Sequence, residues 1–138
     1  MRLPFAVAAL PTLVALAGCP LSGGSECNAD NDCGGGDVCA RDKMCASPSA
    51  VRAVVTTWTI NGGDANTASC VNKVDLFITF IGRDASDTIG FAPVPCKIGQ
   101  FTVDKLPSRF TQVELGVEGG ASLVRPIGTS NTVAIDLR

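Results

Sequence analysis

At 138 residues, with 46% apolar and 17% charged side chains, the chain is hydrophobic enough to fold, which excludes a disordered polyelectrolyte. Eleven basic and 13 acidic residues give a formal charge of −2 and no electrostatic footprint for nucleic acid. There is no histidine, which removes Ser-His-Asp and Cys-His catalysis, while 15 Gly and 8 Pro against 6 Phe, 1 Trp and no Tyr favour short strands joined by turns.

Residues 1–18 read as a signal peptide. Arg2 supplies the positive start, and an apolar stretch from Leu3 to Ala17 follows, ending in small residues just before Cys19. A bilayer-spanning helix needs about 20 apolar residues, and Pro4 and Pro11 weaken a helix further, so the stretch suits a cleaved leader rather than a membrane span. Leu16-Ala17-Gly18-Cys19 resembles the lipobox of bacterial lipoproteins. The resemblance implies cleavage before Cys19 and acylation of that residue with a diacylglyceryl group and a further chain such as palmitate. One acyl chain holds a protein only marginally, at about 0.8 kcal/mol per buried CH₂, whereas two or three on one residue anchor it stably. Pro20 in place of Asp after the cysteine implies, by the family's sorting rule, the outer rather than the inner membrane.

Lipidation of Cys19 accounts for the odd cysteine among seven and leaves six to pair in an envelope compartment where disulfides persist. Residues 19–26, with the Gly/Ser run of "PLSGGSE", read as the lipidated cysteine and a flexible tether reaching roughly 15 Å. In residues 27–45, "CNADNDCGGGDVCARDKMC", Cys27, Cys33, Cys39 and Cys45 are spaced by five residues each. So few apolar residues accompany them that disulfides are expected as staples. Three connectivities stay open, of which a crossed one closes the longer loops. Structural zinc usually takes cysteine pairs two to four residues apart, and no CxxC is present. Asp30, Asp32 and Asp37 are retained as weak calcium candidates, although their spacing is not that of an EF-hand and Asp is an ordinary turn former. The segment resembles short cysteine-rich repeats of bacterial surface lipoproteins and, more remotely, the N-terminal region of Dickkopf proteins, through Asp30, Asp32, Cys33, Gly34, Gly36, Val38 and Cys39. The likeness implies an extracytoplasmic module and no activity.

Residues 46–50, "ASPSA", read as a linker, and residues 51–138 as a β-domain. Strands are expected over Val51–Ile60, Val74–Ile81, Gln100–Leu106, Thr111–Glu118, Ser122–Pro126 and Thr132–Leu137, from β-branched content and turn-residue borders. The fold class expected is therefore mainly β, a small disulfide-rich module followed by an antiparallel β-sandwich. Cys70 and Cys96 are expected to pair, closing a loop of about 26 residues worth roughly 3 to 4 kcal/mol. The run from "TWTINGGDANTASC" to "FTVDKLPSRFTQVELGV" resembles a domain recurring in bacterial lipoproteins and, in outline, prealbumin-like, immunoglobulin-like and carboxypeptidase-regulatory-like sandwiches. Trp58, Ile60, Asn61, Gly62, Cys70, Cys96, Leu106 and Pro107 carry the match. It implies a binding or spacer module.

No P-loop, G-x-S-x-G or G-x-G-x-x-G frame is present. Glu114 and Glu118, on one strand face, would stand roughly 13 Å apart, too far for paired-carboxylate chemistry. Trp58, alone in a β-branched strand, reads as core. The Gly/Asp/Ser-rich stretches Gly62–Ser69 and Gly82–Gly90 read as long loops suited to partner contact. The functional expectation is a non-catalytic, lipid-anchored envelope module that uses no cofactor. It would be attached to the membrane through its lipid and would bind an envelope protein or polysaccharide, not nucleic acid or a small-molecule substrate. An enzyme accessory with carboxylate chemistry and a calcium-dependent adhesion module are the competing classes.

Overall fold

The computed structural model describes residues 25–73 and 75–138; the expected signal peptide, Cys19 and most of the expected tether lie outside them. Among the described residues no helix is long and apolar enough to cross a membrane.

The cysteine-rich segment folds around two short antiparallel strands, β1 (Val38–Cys39) and β2 (Cys45–Ala46). Its disulfides are crossed, Cys27–Cys39 and Cys33–Cys45, each spanning 12 residues. Buried Cys27 and Ala40 are all the apolar interior this unit has, so the cross-links do the work that a core would do elsewhere. Its edge begins earlier than expected: Cys27 N–H donates to Lys43 O at 2.9 Å and Cys45 N–H to Ser25 O at 3.0 Å, which draws Ser25 and Glu26 out of the tether and into the module.

The remaining strands are β3 (Val51–Ile60), β4 (Gly63–Asp64), β5 (Asp75–Gly82), β6 (Thr88–Pro95), β7 (Gln100–Pro107), β8 (Phe110–Val117), β9 (Ser122–Pro126) and β10 (Thr132–Leu137). They form two layers. In one, β3 is central, with β10 on one side and β7 and β4 on the other; the second has the order β6-β5-β8-β9. The fold is mainly β with antiparallel pairing, except that β10 runs parallel to β3, Thr132 opposite Val55 through Leu137 opposite Ile60. Period-two alternation turns Val54, Trp58 and Ile60 of β3, Leu76, Ile78 and Phe80 of β5, and Val133, Ile135 and Leu137 of β10 into a shared core. The Asn61–Gly62 turn between β3 and β4 takes the left-handed conformation at both positions, φ 51° and 78°, which is why Asn-Gly stands there.

One expectation is corrected. The stretch Gly82–Gly90 is not a long loop: β6 starts at Thr88, and Arg83–Asp87 is a turn closed by Gly82 N–H to Asp87 O at 2.8 Å. Gly90, Pro93 and Pro95 obscure β6 in the sequence, and the fold tolerates these prolines because β6 is an edge strand. Residues 46–50, expected as a linker, carry local structure of their own. Pro48–Ala50 makes a 3₁₀ turn, and Ala50 O accepts from both Ser108 N–H (2.8 Å) and Ser108 Oγ (2.9 Å).

Candidate functional site

Cys70 and Cys96 are disulfide-bonded, and Trp58 is 3% exposed beside them, its Nε1–H donating to Cys96 O at 2.7 Å. The indole is thus a core anchor with its polar atom satisfied. The loop from Ala65 to Lys73 folds on itself: Asn66 Oδ1 accepts from Ala68 N–H and Ser69 N–H at 2.9 and 3.0 Å.

Asp30, Asp32 and Asp37 are not gathered on a shared point. Asp32 Oδ2 accepts from Asn28 N–H (2.8 Å) and Ala29 N–H (2.9 Å), and these backbone donors hold its carboxyl below the usual carboxylate range. Asp30 is held low first by the Lys105 ammonium, 2.7 Å from each of its oxygens, and next by Cys39 N–H. Among the described residues, the one group of three metal-ligating side chains with atoms within 4.8 Å is Cys27, Cys33 and Cys45, whose sulfurs are in disulfides. Glu114 lies on β8 and accepts from Ser122 Oγ at 2.6 Å, whereas Glu118 falls beyond the end of that strand.

The cysteine module docks on the β7–β8 end of the sandwich through charge. A bulge places Asp104 and Lys105 opposite a single residue of β3, between the pairs Val54–Val103 and Arg52–Leu106, with Lys105 in the left-handed region at φ 52°. The bulge breaks the alternation of β7 and presents both side chains to the module: Asp104 pairs with Arg41 and Lys105 with Asp30. Arg41 N–H also donates to Lys105 O at 2.9 Å. Arg109 extends the contact. It reaches Asp42 Oδ2 at 2.8 Å, clamps Asp87 of the β5–β6 turn, and lies over the Phe110 ring at 4.6 Å. Asp87 and then Asp42 raise the Arg109 pKa above its ordinary value.

On the β6/β7 side Phe91 meets Phe101 of the other layer at 5.1 Å between tilted rings and Phe80 of its own layer edge-on at 6.0 Å. The opposite side is open: β9 and β10 lie close without pairing. A cleft of about 720 Å³ occupies this side, with Val117, Leu123 and Leu137 as its apolar walls and Lys73, Arg125 and Arg138 around it. Its volume is in the range of ligand-binding pockets. Asp136, the one carboxylate side chain among its described lining residues, is already engaged. Gly62 N–H (2.7 Å) and Thr59 Oγ1 (2.9 Å) donate to its Oδ1 and Arg138 Nε (3.0 Å) to its Oδ2. Gly62 N–H first, with Arg138 and Thr59 after it, lowers the Asp136 pKa. Lys73 and Arg125 have no carboxylate within ion-pair distance among the described residues.

Sequence reasoning missed this cleft because its cations come from the approach to β5, from β9 and from the end of β10, and no local pattern links them. It lies at the end of the sandwich away from the module, since Val117 pairs with Leu76 while the module contacts the turn before Phe110. Eight residues of β8 at about 3.4 Å each separate those ends by roughly 25 Å.

No protein-family model, curated protein or solved structure matches the chain.

Proposed function

We propose that the protein is a lipid-anchored envelope lipoprotein, attached through Cys19 at the outer membrane, that acts as a non-catalytic binding module for another envelope component. The observation that carries the reading is the position of Cys19 at the end of Leu16-Ala17-Gly18. Removing it from the count leaves six cysteines, and these close into three disulfides, bonds that persist outside the reducing cytoplasm. On this reading the docked module is the membrane-proximal part, and the cleft between β9 and β10 is held away from the bilayer. Binding is supported by the cleft between β9 and β10, which is lined by Lys73, Arg125 and Arg138 and by the hydrogen-bonded carboxylate of Asp136.

Intact mass of protein extracted from native membranes, together with metabolic labelling by radioactive palmitate, tests the reading. The expected result is a chain of residues 19–138 carrying a diacylglyceryl and an acyl group, with label lost in Cys19→Ala. An unlipidated mature mass would overturn it.

A further inference from the structure

We propose that the cleft between β9 and β10 captures a short, extended, acidic segment of a partner protein by adding it as a strand to the open edge of β9. The inference rests on the binding-module reading and gives it a ligand class.

Three observations converge on this occupant. First, Lys73 and Arg125 line the cleft with no ion-pair partner among the described residues, in a chain whose formal charge is −2. Arg138 is held by Asp136, the one carboxylate side chain among the described lining residues, which Gly62 N–H and Thr59 also occupy. Among the described residues Arg125 has only the carbonyl of Val124 as a hydrogen-bond partner, at 3.0 Å, which leaves the rest of its guanidinium for a carboxylate contact. Second, β9 pairs with β8 on one side and, among the described residues, with no strand on the other, which leaves backbone donors and acceptors that an extended peptide can use. Third, the alternation along β9 sends Leu123 and Arg125 to the cleft and Val124 to the opposite face, where it is 43% exposed, one of three exposed large apolar side chains among the described residues. A strand laid on this edge would meet Arg125 with residues of one parity and Val124 with the other. An alternating acidic–apolar segment fits both faces at once. Sugar rings fit less well, because among the described residues no aromatic side chain lines the cleft to stack against them.

The test uses the whole disulfide-bonded protein and a fluorescein-labelled hexapeptide, Glu-Val-Glu-Val-Glu-Val, followed by anisotropy at low salt. The Gln-Val counterpart and an oligogalacturonate serve as competitors. The expected result is saturable binding weakened about ten-fold or more by Arg125→Glu and by Lys73→Glu, with the Gln-Val peptide competing poorly, in line with charge-pair recognition. Amide NMR shifts confined to β9 and its neighbours would place the peptide independently, including for a variant of reduced stability. Absence of binding, equal affinity for both peptides, indifference to both charge reversals, or displacement by oligogalacturonate alone would each overturn the proposal, the last in favour of an acidic polysaccharide. Cys19→Ala should leave peptide binding intact, so failure of the lipid anchor and failure of this site are separable results.

Discussion

Lys105 Nζ lies 2.7 Å from both carboxylate oxygens of Asp30, joining residues 75 positions apart across the boundary between the cysteine module and the sandwich. The lysine reaches the module because its backbone takes the left-handed region within the β7 bulge, a conformation that a non-glycine residue holds at a cost. The bulge is best understood as the module's docking site. Lys105→Glu should therefore loosen the interface without unfolding either part, since the pair is solvent-exposed. Amide exchange at Cys39 and Arg41, whose N–H groups donate to Asp30 and to Lys105 O, should accelerate about two- to five-fold, the range set by the strength of exposed ion pairs. Unchanged exchange would mean that the backbone contacts alone hold the module.

Acid should weaken the same interface. Asp30, Asp32 and Asp136 all have carboxyl pKa values below the ordinary range, Asp30 chiefly because of Lys105 and the other two chiefly because of backbone N–H donors. A carboxylate with a lowered folded-state pKa stabilises the fold fully above its unfolded value, about 3.9 for Asp, and loses that contribution as pH falls through the folded value. Thermal stability should thus be flat with respect to these groups from neutral pH to about 5 and decline below about 4. A melting temperature that rises on acidification below that point would contradict the assigned partners.

The three disulfides should differ in what they hold. Removal of Cys27–Cys39 by paired Ala substitution frees a 12-residue loop, about 3 kcal/mol on the chain-entropy account, in a unit with almost no apolar interior. The module should lose its ordered amide signals while those of β3 to β10 remain. Removal of Cys70–Cys96, with a 26-residue separation, should cost the sandwich about 3.5 kcal/mol and lower its melting temperature. Two-dimensional NMR and thermal denaturation of the two variants distinguish these outcomes.

The mainly-β class was legible because strands such as Val51–Ile60 and Thr132–Leu137 alternate cleanly, and alternation is a local property. Strand direction is not local. Nothing in "TVAIDL" distinguishes the parallel partner it becomes from an antiparallel one. Strand β6 was hidden by Pro93 and Pro95, which read as breakers until its edge position is known. The spacing of Cys27, Cys33, Cys39 and Cys45 signalled a stapled unit, but equal intervals do not select the crossed pairing found. The open cleft was illegible for a related reason: Lys73, Arg125 and Arg138 become neighbours only through the order of the strands.

Gly116 shows a close approach that the sequence does not announce. A Cβ built on it would lie 2.6 Å from Ser122 Cβ, 2.8 Å from Phe77 Cζ and 2.9 Å from Ala121 O. The last of these is backbone, and the turn after β8 would have to shift to admit a methyl group. Gly116→Ala should destabilise the fold by about 1 to 3 kcal/mol, the usual range for overpacking, as read by denaturant unfolding. An unchanged midpoint would show that this turn yields freely.

Thr56 presents the opposite case. It sits in the inward row of β3 between Val54 and Trp58, is 0% exposed, and its Oγ1 has no hydrogen-bond partner among the described residues. Leaving a buried hydroxyl unsatisfied costs about 1 to 3 kcal/mol, and valine replaces it with a methyl group of similar shape and equal β-branching. Thr56→Val should accordingly stabilise the protein by about 1 kcal/mol, with the m-value unchanged because the surface exposed on unfolding stays the same. A loss of stability in urea unfolding would show that the hydroxyl has a partner within the core, such as a buried water, and that the inward face of β3 is more polar than its neighbours suggest.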